Sequence, residues 1–325
     1  MLAGTGTGRK RLLPALREST MCRVTVVQGR DPGRLREVAR QDASIRLVTD
    51  PVEFIRSRDL FDVVYLASPP FLRGEHLALA AAAGKPVLCE KPLAISEAHL
   101  TEVCRVVAEA GMPFGVAHHL RHQPAVTDLA ELLRDGSLGA LQDSHLRWNF
   151  VMDLAAPNAS WKVRPHLAGS SSMWDSGVHA LDLVVLLFGV PRAVCAVGQR
   201  RRTPELVDAV TAILDFGTHT VTVTTSQAGV GGGNDLVVTG STAVVRAPGM
   251  LGERSLRTLL VEGGPRGGRR DYPATDLYRA MVEDFCRWLQ GAPAVGTTMS
   301  EAVTTSRLLL AIEESVARGR TIELR

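Results

Sequence analysis

The chain has 325 residues, 45% hydrophobic and 22% charged, with a formal net charge of +3 at pH 7. At about 100–200 residues per domain that length predicts two domains, and the composition is that of a globular chain rather than a disordered or fibrous one. The small charge surplus, and basic runs (Arg9–Arg11, Arg200–Arg202, Arg269–Arg270) without interleaved aromatics, give no nucleic-acid-binding stripe.

Five cysteines (Cys22, Cys89, Cys104, Cys195, Cys286) lack CxxC spacing and read as reduced thiols of a reducing compartment. No apolar run reaches about 18 residues, and the apolar patch Leu12–Leu16 is interrupted by Pro14. A cytoplasmic protein without a membrane span is the expectation.

The chain opens with "LAGTGTGRKRLL", in which Gly4, Gly6 and Gly8 alternate with Thr5 and Thr7 before a predicted helix. Such glycines let backbone approach a pyrophosphate whose charge rests on the helix N-terminus. Regular GxGxxG spacing wants a third glycine at position 9, where this chain has Arg9. Arg9, Lys10 and Arg11 crowd that terminus, where the macrodipole disfavours cations unless a phosphate is bound. Only Met1, Leu2 and Ala3 precede Gly4, so a truncated first strand or a start assigned too late is expected.

Short β-branched runs at 24–27, 45–48, 61–67, 86–90 and 113–117 predict strands buried on both faces. They alternate with helical patterns at 12–18, 32–40, 51–58, 75–83 and 96–110, the last opened by Ser96 and stopped by Gly111. That alternation predicts a doubly wound parallel sheet, a Rossmann-type dinucleotide-binding domain over residues 1–119. The second strand ends in "VVQGRDP". Gly29 stands where an NAD-preferring fold places an acid, Arg30 follows and Arg34 lies one turn into the next helix. NADP is therefore expected over NAD, with Asp31 as the acid in the opposite case.

"FDVVYLASPP" ends a strand at Ser68, Pro69 and Pro70, and "VLCEKPL" ends another at Glu90, Lys91 and Pro92. Prolines there stop the chain from continuing as helix, and ligands of open α/β sheets bind outside those carboxyl ends. A lone lysine at a strand end would ordinarily be just solvated.

From residue 120 the pattern becomes α+β, with helices at 124–134, about 172–188, 276–289 and 300–318. Strands are predicted at 142–151, in a hairpin over 209–227, at 235–238 and at 243–246. Residues 120–325 are expected to form a substrate-binding and oligomerisation domain with a large, open, mostly antiparallel sheet. Residues 263–270, rich in Gly and Arg, read as an exposed hairpin loop.

In "SSMWDSGVHALDLVVLLFG", Asp175, His179 and Asp182 are spaced four and three apart, on one face of a helix. An Asp–His–Asp face on an apolar helix is costly to bury without purpose. It reads as proton transfer, as a buried structural network, or, with "HHLRH" (118–122), as metal ligands. No metal is expected, because His118 and His119 alternate sides at a strand end. His119, Trp161, Lys162 and Arg164, together with Arg147 and Trp148, are candidate substrate contacts, with ordinary packing or surface charge as the alternative.

Taken together, the glycine loop, "SPPFLRGEHLALAAAAGKPVLCEKPLAIS" and "DSGVHALD" resemble the Gfo/Idh/MocA (glucose-fructose oxidoreductase, inositol dehydrogenase) oxidoreductases over essentially the whole chain. The resemblance implies a nicotinamide cofactor and a C-terminal sheet that mediates homodimers or homotetramers. It also implies a cis Lys91–Pro92 bond. Lys91 would stand beside the nicotinamide and bond the reacting oxygen, His179 would be general acid/base, and Asp175 would orient substrate or histidine. Two departures are Arg9 in the glycine loop and Arg73 where the family usually has histidine; both are carried as cofactor contacts. The implied reaction is hydride transfer between nicotinamide and a secondary alcohol or ketone of a sugar, cyclitol or derivative. Alternatives are a catalytically silent NADP-binding regulator, redox-assisted glycoside cleavage, or imine reduction.

Overall fold

In the computed structural model, six short strands form one parallel sheet: β1 (Leu2–Ala3), β2 (Val26–Gln28), β3 (Arg46–Val48), β4 (Val64–Leu66), β5 (Val87–Glu90) and β6 (Phe114–Ala117). The structure describes residues 1–324 except 157, 158, 230–232, 255 and 257, and of residue 159 the backbone alone. The strand order is β3-β2-β1-β4-β5-β6. β1 is only two residues long, yet it pairs on both sides, Leu2 with Val27 and Leu2 with Tyr65. Successive strands are added on one side of β1 up to β3 and on the other side from β4, so the strand order reverses between β1 and β4, the switch point at which such sheets bind nucleotides.

Helices Pro32–Gln41, Arg73–Ala82 and Glu97–Ala110 make the crossovers. The last is capped as its sequence requires: Ser96 Oγ accepts from His99 N at 3.2 Å, and Gly111 closes it with φ +57°.

Residues Met1–His119 and Tyr278–Met299 form one compact unit, and Leu120–Leu277 with Ser300–Arg325 a second. The helix Leu277–Leu289, expected with the second domain, sends Met281, Val282 and Phe285 into a core shared with Leu2, Val27, Leu35, Tyr65 and Leu88. Its apolar stripe is plain in the sequence, but nothing local says which core it covers. Gly115 of β6 makes the room: a Cβ there would stand 3.1 Å from the Phe285 ring.

The second unit is built on nine strands: β7 (Leu141–Asn149), β8 (Ala193–Gln199), β9 (Ala209–Asp215), β10 (Thr220–Ser226), β11 (Leu236–Gly240), β12 (Ala243–Ala247), β13 (Thr258–Gly263), β14 (Gly268–Asp271) and β15 (Ile322–Glu323). They lie in the order β14-β13-β12-β11-β7-β10-β9-β8-β15. Every pair is antiparallel except β7 with β10. Val210, Ala212 and Leu214 of β9 and Val221, Val223 and Thr225 of β10 are buried. The helix Val178–Phe188 packs on β7 and β10. Among the described residues, no helix is long and apolar enough to cross a membrane.

Candidate active site

Three glycines do three different things in the turn after β1. Gly4 has φ +111°, and a Cβ on it would stand 2.6 Å from the Ala67 carbonyl oxygen, so only glycine fits. Gly6 has nothing within 4 Å of a would-be Cβ, which leaves its backbone open to approach. Gly8 begins a wider π-type turn over Gly8–Leu12 and packs on Leu2, whose Cδ1 would lie 2.5 Å from a Cβ. Gly8 thus supplies the close helix–strand packing that a dinucleotide loop takes from its third glycine, which leaves position 9 free for Arg9. Arg9 pairs with Glu37, so its charge is already met by a carboxylate.

At the end of β2 a side chain on Gly29 would meet Thr5 Cγ2 at 2.5 Å, so an acid there would require Thr5 to shift. Asp31 caps the helix Pro32–Gln41: its Oδ1 accepts from Gly33 N at 2.8 Å and Arg34 N at 3.2 Å, and its Oδ2 lies 3.3 Å from Arg34 Nε. Arg30 is exposed and forms no ion pair among the described residues.

β5 delivers Glu90 and Lys91 to a turn in which the Lys91–Pro92 peptide is cis, as expected. Glu90 is buried, and its Oε1 accepts from the Tyr65 hydroxyl at 2.7 Å. Burial pushes the Glu90 carboxyl above its ordinary value, against the pull of Lys91, the Tyr65 bond and Arg73. Burial and the Glu90 charge raise the Tyr65 hydroxyl well above its own. Arg73 is 1% exposed; its guanidinium donates to the Pro92 carbonyl and, at 3.2 Å, to the Ser68 carbonyl. His119 is buried and stacks on Tyr278, centroids 4.9 Å apart.

In the second unit, a π-type turn at Met173–Gly177 precedes the helix Val178–Phe188, so the predicted continuous helix carries an enlarged turn where Asp175 sits. His179 is buried and stacks on Trp148 of β7, centroids 5.4 Å apart at 28°. Asp175 Oδ2 accepts from Lys162 Nζ at 3.0 Å and Gln227 Nε2 at 3.2 Å. Asp182 commits both oxygens to Arg121, at 2.8 and 2.9 Å, with side-chain exposures of 0% and 1%. Arg121 also reaches Glu301 at 2.8 Å. Burial works against the Arg121 charge, but the two carboxylates prevail and hold its pKa above the usual value. The Asp–His–Asp face therefore divides: Asp182 serves a buried ion pair, and Asp175 joins a polar cluster.

Residues 1–118 match the family model described as an oxidoreductase family with an NAD-binding Rossmann fold, and residues 126–246 match the GFO/IDH/MocA C-terminal domain. The chain belongs to the Gfo/Idh/MocA oxidoreductases. Like other Gfo/Idh/MocA enzymes it is a nicotinamide-dependent dehydrogenase or reductase acting on CH–OH groups. It is 26% identical to D-xylose 1-dehydrogenase (NADP(+)) 2 of Haloferax volcanii, over all of this chain and 98% of that protein. It is 28% identical to the scyllo-inositol 2-dehydrogenase (NADP(+)) of Bacillus subtilis over 57% of this chain and 51% of that one. The crystal structure of an aldose-aldose oxidoreductase from Caulobacter crescentus complexed with glycerol has the same fold, with TM-score 0.87, 22% identity and coverage of 99% and 98% of the two chains.

Within this Gfo/Idh/MocA frame the first unit joins the Ser68 turn to the turn carrying Glu90 and Lys91 through Arg73, and the second joins Asp175 to Lys162 and Gln227, with His179 stacked on Trp148. Trp161 is half-buried beside Lys162, and Arg164 is exposed with its backbone opening the helix Pro165–Ala168. Strand alternation splits Arg147 from Trp148: Trp148 faces His179, while Arg147 lies on the other face of the sheet, beside a depression of about 540 Å³ with Asn149, Gln199 and Arg201. Arg147 is therefore not beside His179. Tyr65 and Gln227 went unread. A tyrosine in a buried strand requires a partner for its hydroxyl, a signal that "VVYLA" did contain; Gln227, 52 residues from Asp175, had none.

Proposed function

We propose that the enzyme transfers a hydride reversibly between NADP(H) and a secondary carbinol of a sugar, cyclitol or derivative. The observation that carries the substrate class is the full-length similarity to an NADP-dependent xylose dehydrogenase, with a cyclitol dehydrogenase also related. Lys162, Asp175 and Gln227 form an alternation of donors and acceptors that suits vicinal hydroxyls. Lys162 is neutralised by Asp175, which disfavours it as a receptor for an anionic substrate group.

The cofactor would be held by the backbone of Gly4 to Gly8 with Thr5 and Thr7, and by the Ser68-Pro69-Pro70 and Glu90-Lys91 turns. Its 2′-phosphate would fall to Arg30, with Arg34 partly engaged by Asp31. The nicotinamide, when bound, accepts or gives the hydride. For this chain's own groups, Lys91 donates to the reacting oxygen and steadies its developing negative charge. His179 takes the hydroxyl proton in oxidation and returns it in reduction, held in plane by Trp148. Asp175 orients the substrate.

Val197 (66% exposed) and Ile213 (48%) leave apolar surface on the outer face of the nine-stranded sheet, and we assign that face to a homodimer or homotetramer contact. A panel of aldoses, ketoses and cyclitols, followed by nicotinamide absorbance with NADP and with NAD, tests the reading. Cofactor binding without turnover of any of them would overturn it in favour of a silent binding protein.

A further inference from the structure

Arg73 is a cation almost wholly removed from water, at 1% exposure, yet no carboxylate pairs with it among the described residues. A buried guanidinium without an ion pair needs hydrogen bonds in place of hydration, and here Nη1 and Nη2 find them while Nε has no partner among the described residues. Here the partners are main-chain oxygens on two separate strand ends. One is the Ser68 carbonyl in the turn after β4, at 3.2 Å; the other is the Pro92 carbonyl in the turn after β5. The planar fork therefore spans from the Ser68 turn to the turn that carries Lys91, and its own backbone is fixed at the start of the helix Arg73–Ala82.

We propose that Arg73 is a positioning residue, a clamp between the Ser68 and Lys91–Pro92 turns that sets where the Lys91 ammonium stands. The inference rests on the hydride-transfer reading for what Lys91 does, but not for the clamp itself. A single point donor such as lysine cannot make both bonds in the same plane, so the site is specific for guanidinium.

The same charge is felt in the surrounding groups. It pulls on the buried Cys89 thiol, which burial nonetheless pushes up to about 11, and with burial it lowers His99 on the helix Glu97–Ala110. It is one of the influences, after burial, Lys91 and the Tyr65 bond, that decide the ionisation of Glu90. The groups acting on Glu90 are thus Tyr65 from β4, Arg73 from the following helix and Lys91 beside it, with Tyr278 acting on Tyr65.

Two variants separate charge from geometry. Arg73→Met removes both; Arg73→Lys keeps the charge and breaks the fork, and remains informative if the first fails to fold. NADPH affinity, kcat and KM on the best sugar of the panel, and the titration of Glu90 by carboxyl-carbon NMR on labelled enzyme, are compared with wild type. The expected result is a kcat lower by about 10²-fold in both variants, as for a reactive group displaced by about 1 Å, with a loss of NADPH affinity smaller than the loss of kcat. In addition, Glu90 should titrate at higher pH in Arg73→Met and near its wild-type pH in Arg73→Lys. Wild-type kcat in Arg73→Lys, or crystal structures of the two variants with the Lys91 ammonium undisplaced, overturns the clamp. Because those structures need no turnover, absence of any sugar activity in the wild type would defeat the functional reading and leave the clamp decided by where Lys91 stands in Arg73→Lys.

Discussion

An alanine at position 182 would leave Arg121 in the core with half its partners. Asp182 gives Arg121 two parallel bonds of 2.8 and 2.9 Å, neither group is accessible to water, and the remaining partner, Glu301, is itself 30% exposed. Removing one member of such a buried pair costs about 3–5 kcal/mol, because the surviving charge is left without compensation. Glu301 keeps the loss towards the lower end, about 3 kcal/mol, still a large share of an ordinary stability of about 5–15 kcal/mol. At about 2–4 °C per kcal/mol the melting temperature should fall by about 6–12 °C. Calorimetry on Asp182→Ala, on Arg121→Met and on the double variant measures it. The double variant should recover much of the loss, since a well-packed apolar pair replaces a buried ion pair at little cost. A drop below about 1 kcal/mol in Asp182→Ala, the range of exposed pairs, or simple addition of the two single losses, would refute the structural role assigned to Asp182.

Other outcomes follow from the same geometry. His179→Ala should lose about 10²–10⁴-fold in kcat on any sugar the enzyme turns over, measured by steady-state nicotinamide absorbance; near-full turnover would remove His179 from the mechanism. Arg30→Glu should shift the ratio of kcat/KM for NADP over NAD by about tenfold or more towards NAD, since it replaces an exposed guanidinium with a carboxylate that repels a 2′-phosphate. Gly4→Ala should destabilise the loop and weaken NADPH binding in fluorescence titration, because a Cβ at φ +111° meets the Ala67 carbonyl. For pH, the folded Glu90 holds its proton above the ordinary value of 4.5. Its contribution to stability is therefore complete below that value and is lost as pH rises through the folded pKa. Glu90→Gln should flatten that fall in denaturation midpoints across pH, and Tyr65→Phe, which removes a bond favouring the charged form, should move it to higher pH.

How much of this could be read beforehand depends on the range over which each residue's purpose is decided. The six parallel strands were legible because strands buried on both faces must be uniformly apolar, and their crossovers carry local caps such as Ser96 and Gly111. The turn at Lys91 was legible because Pro92 fixes a local backbone at a strand end, whereas a role for Lys91 came only with the family resemblance. Asp182 was legible only as something expensive to bury. Its partner Arg121 lies 61 residues away, so the sequence left proton transfer, a buried structural network and metal ligation open for the trio. Arg73 was placed among cofactor contacts by position in a motif, whereas its hydrogen bonds run to two carbonyls that no side-chain pattern reveals. Strands β8, β13, β14 and β15 went unread, being short, edge-like or set among glycines and arginines. Gly8 shows a different limit: motif spacing assumes a regular helix, and a π-type turn moves the packing glycine by one place.

The return of the chain at Tyr278 bears on how the protein is made. The core of the first unit needs Met281, Val282 and Phe285, which leave the ribosome about 160 residues after His119. At about 5–20 residues per second, the nucleotide-binding sheet must wait on the order of ten seconds or more with Leu2, Tyr65 and Leu88 incompletely covered. During that interval the whole of the intervening segment is synthesised. A fragment ending near residue 119 should therefore be a poor folding unit and a ready client for chaperones, even though it contains every strand of its sheet.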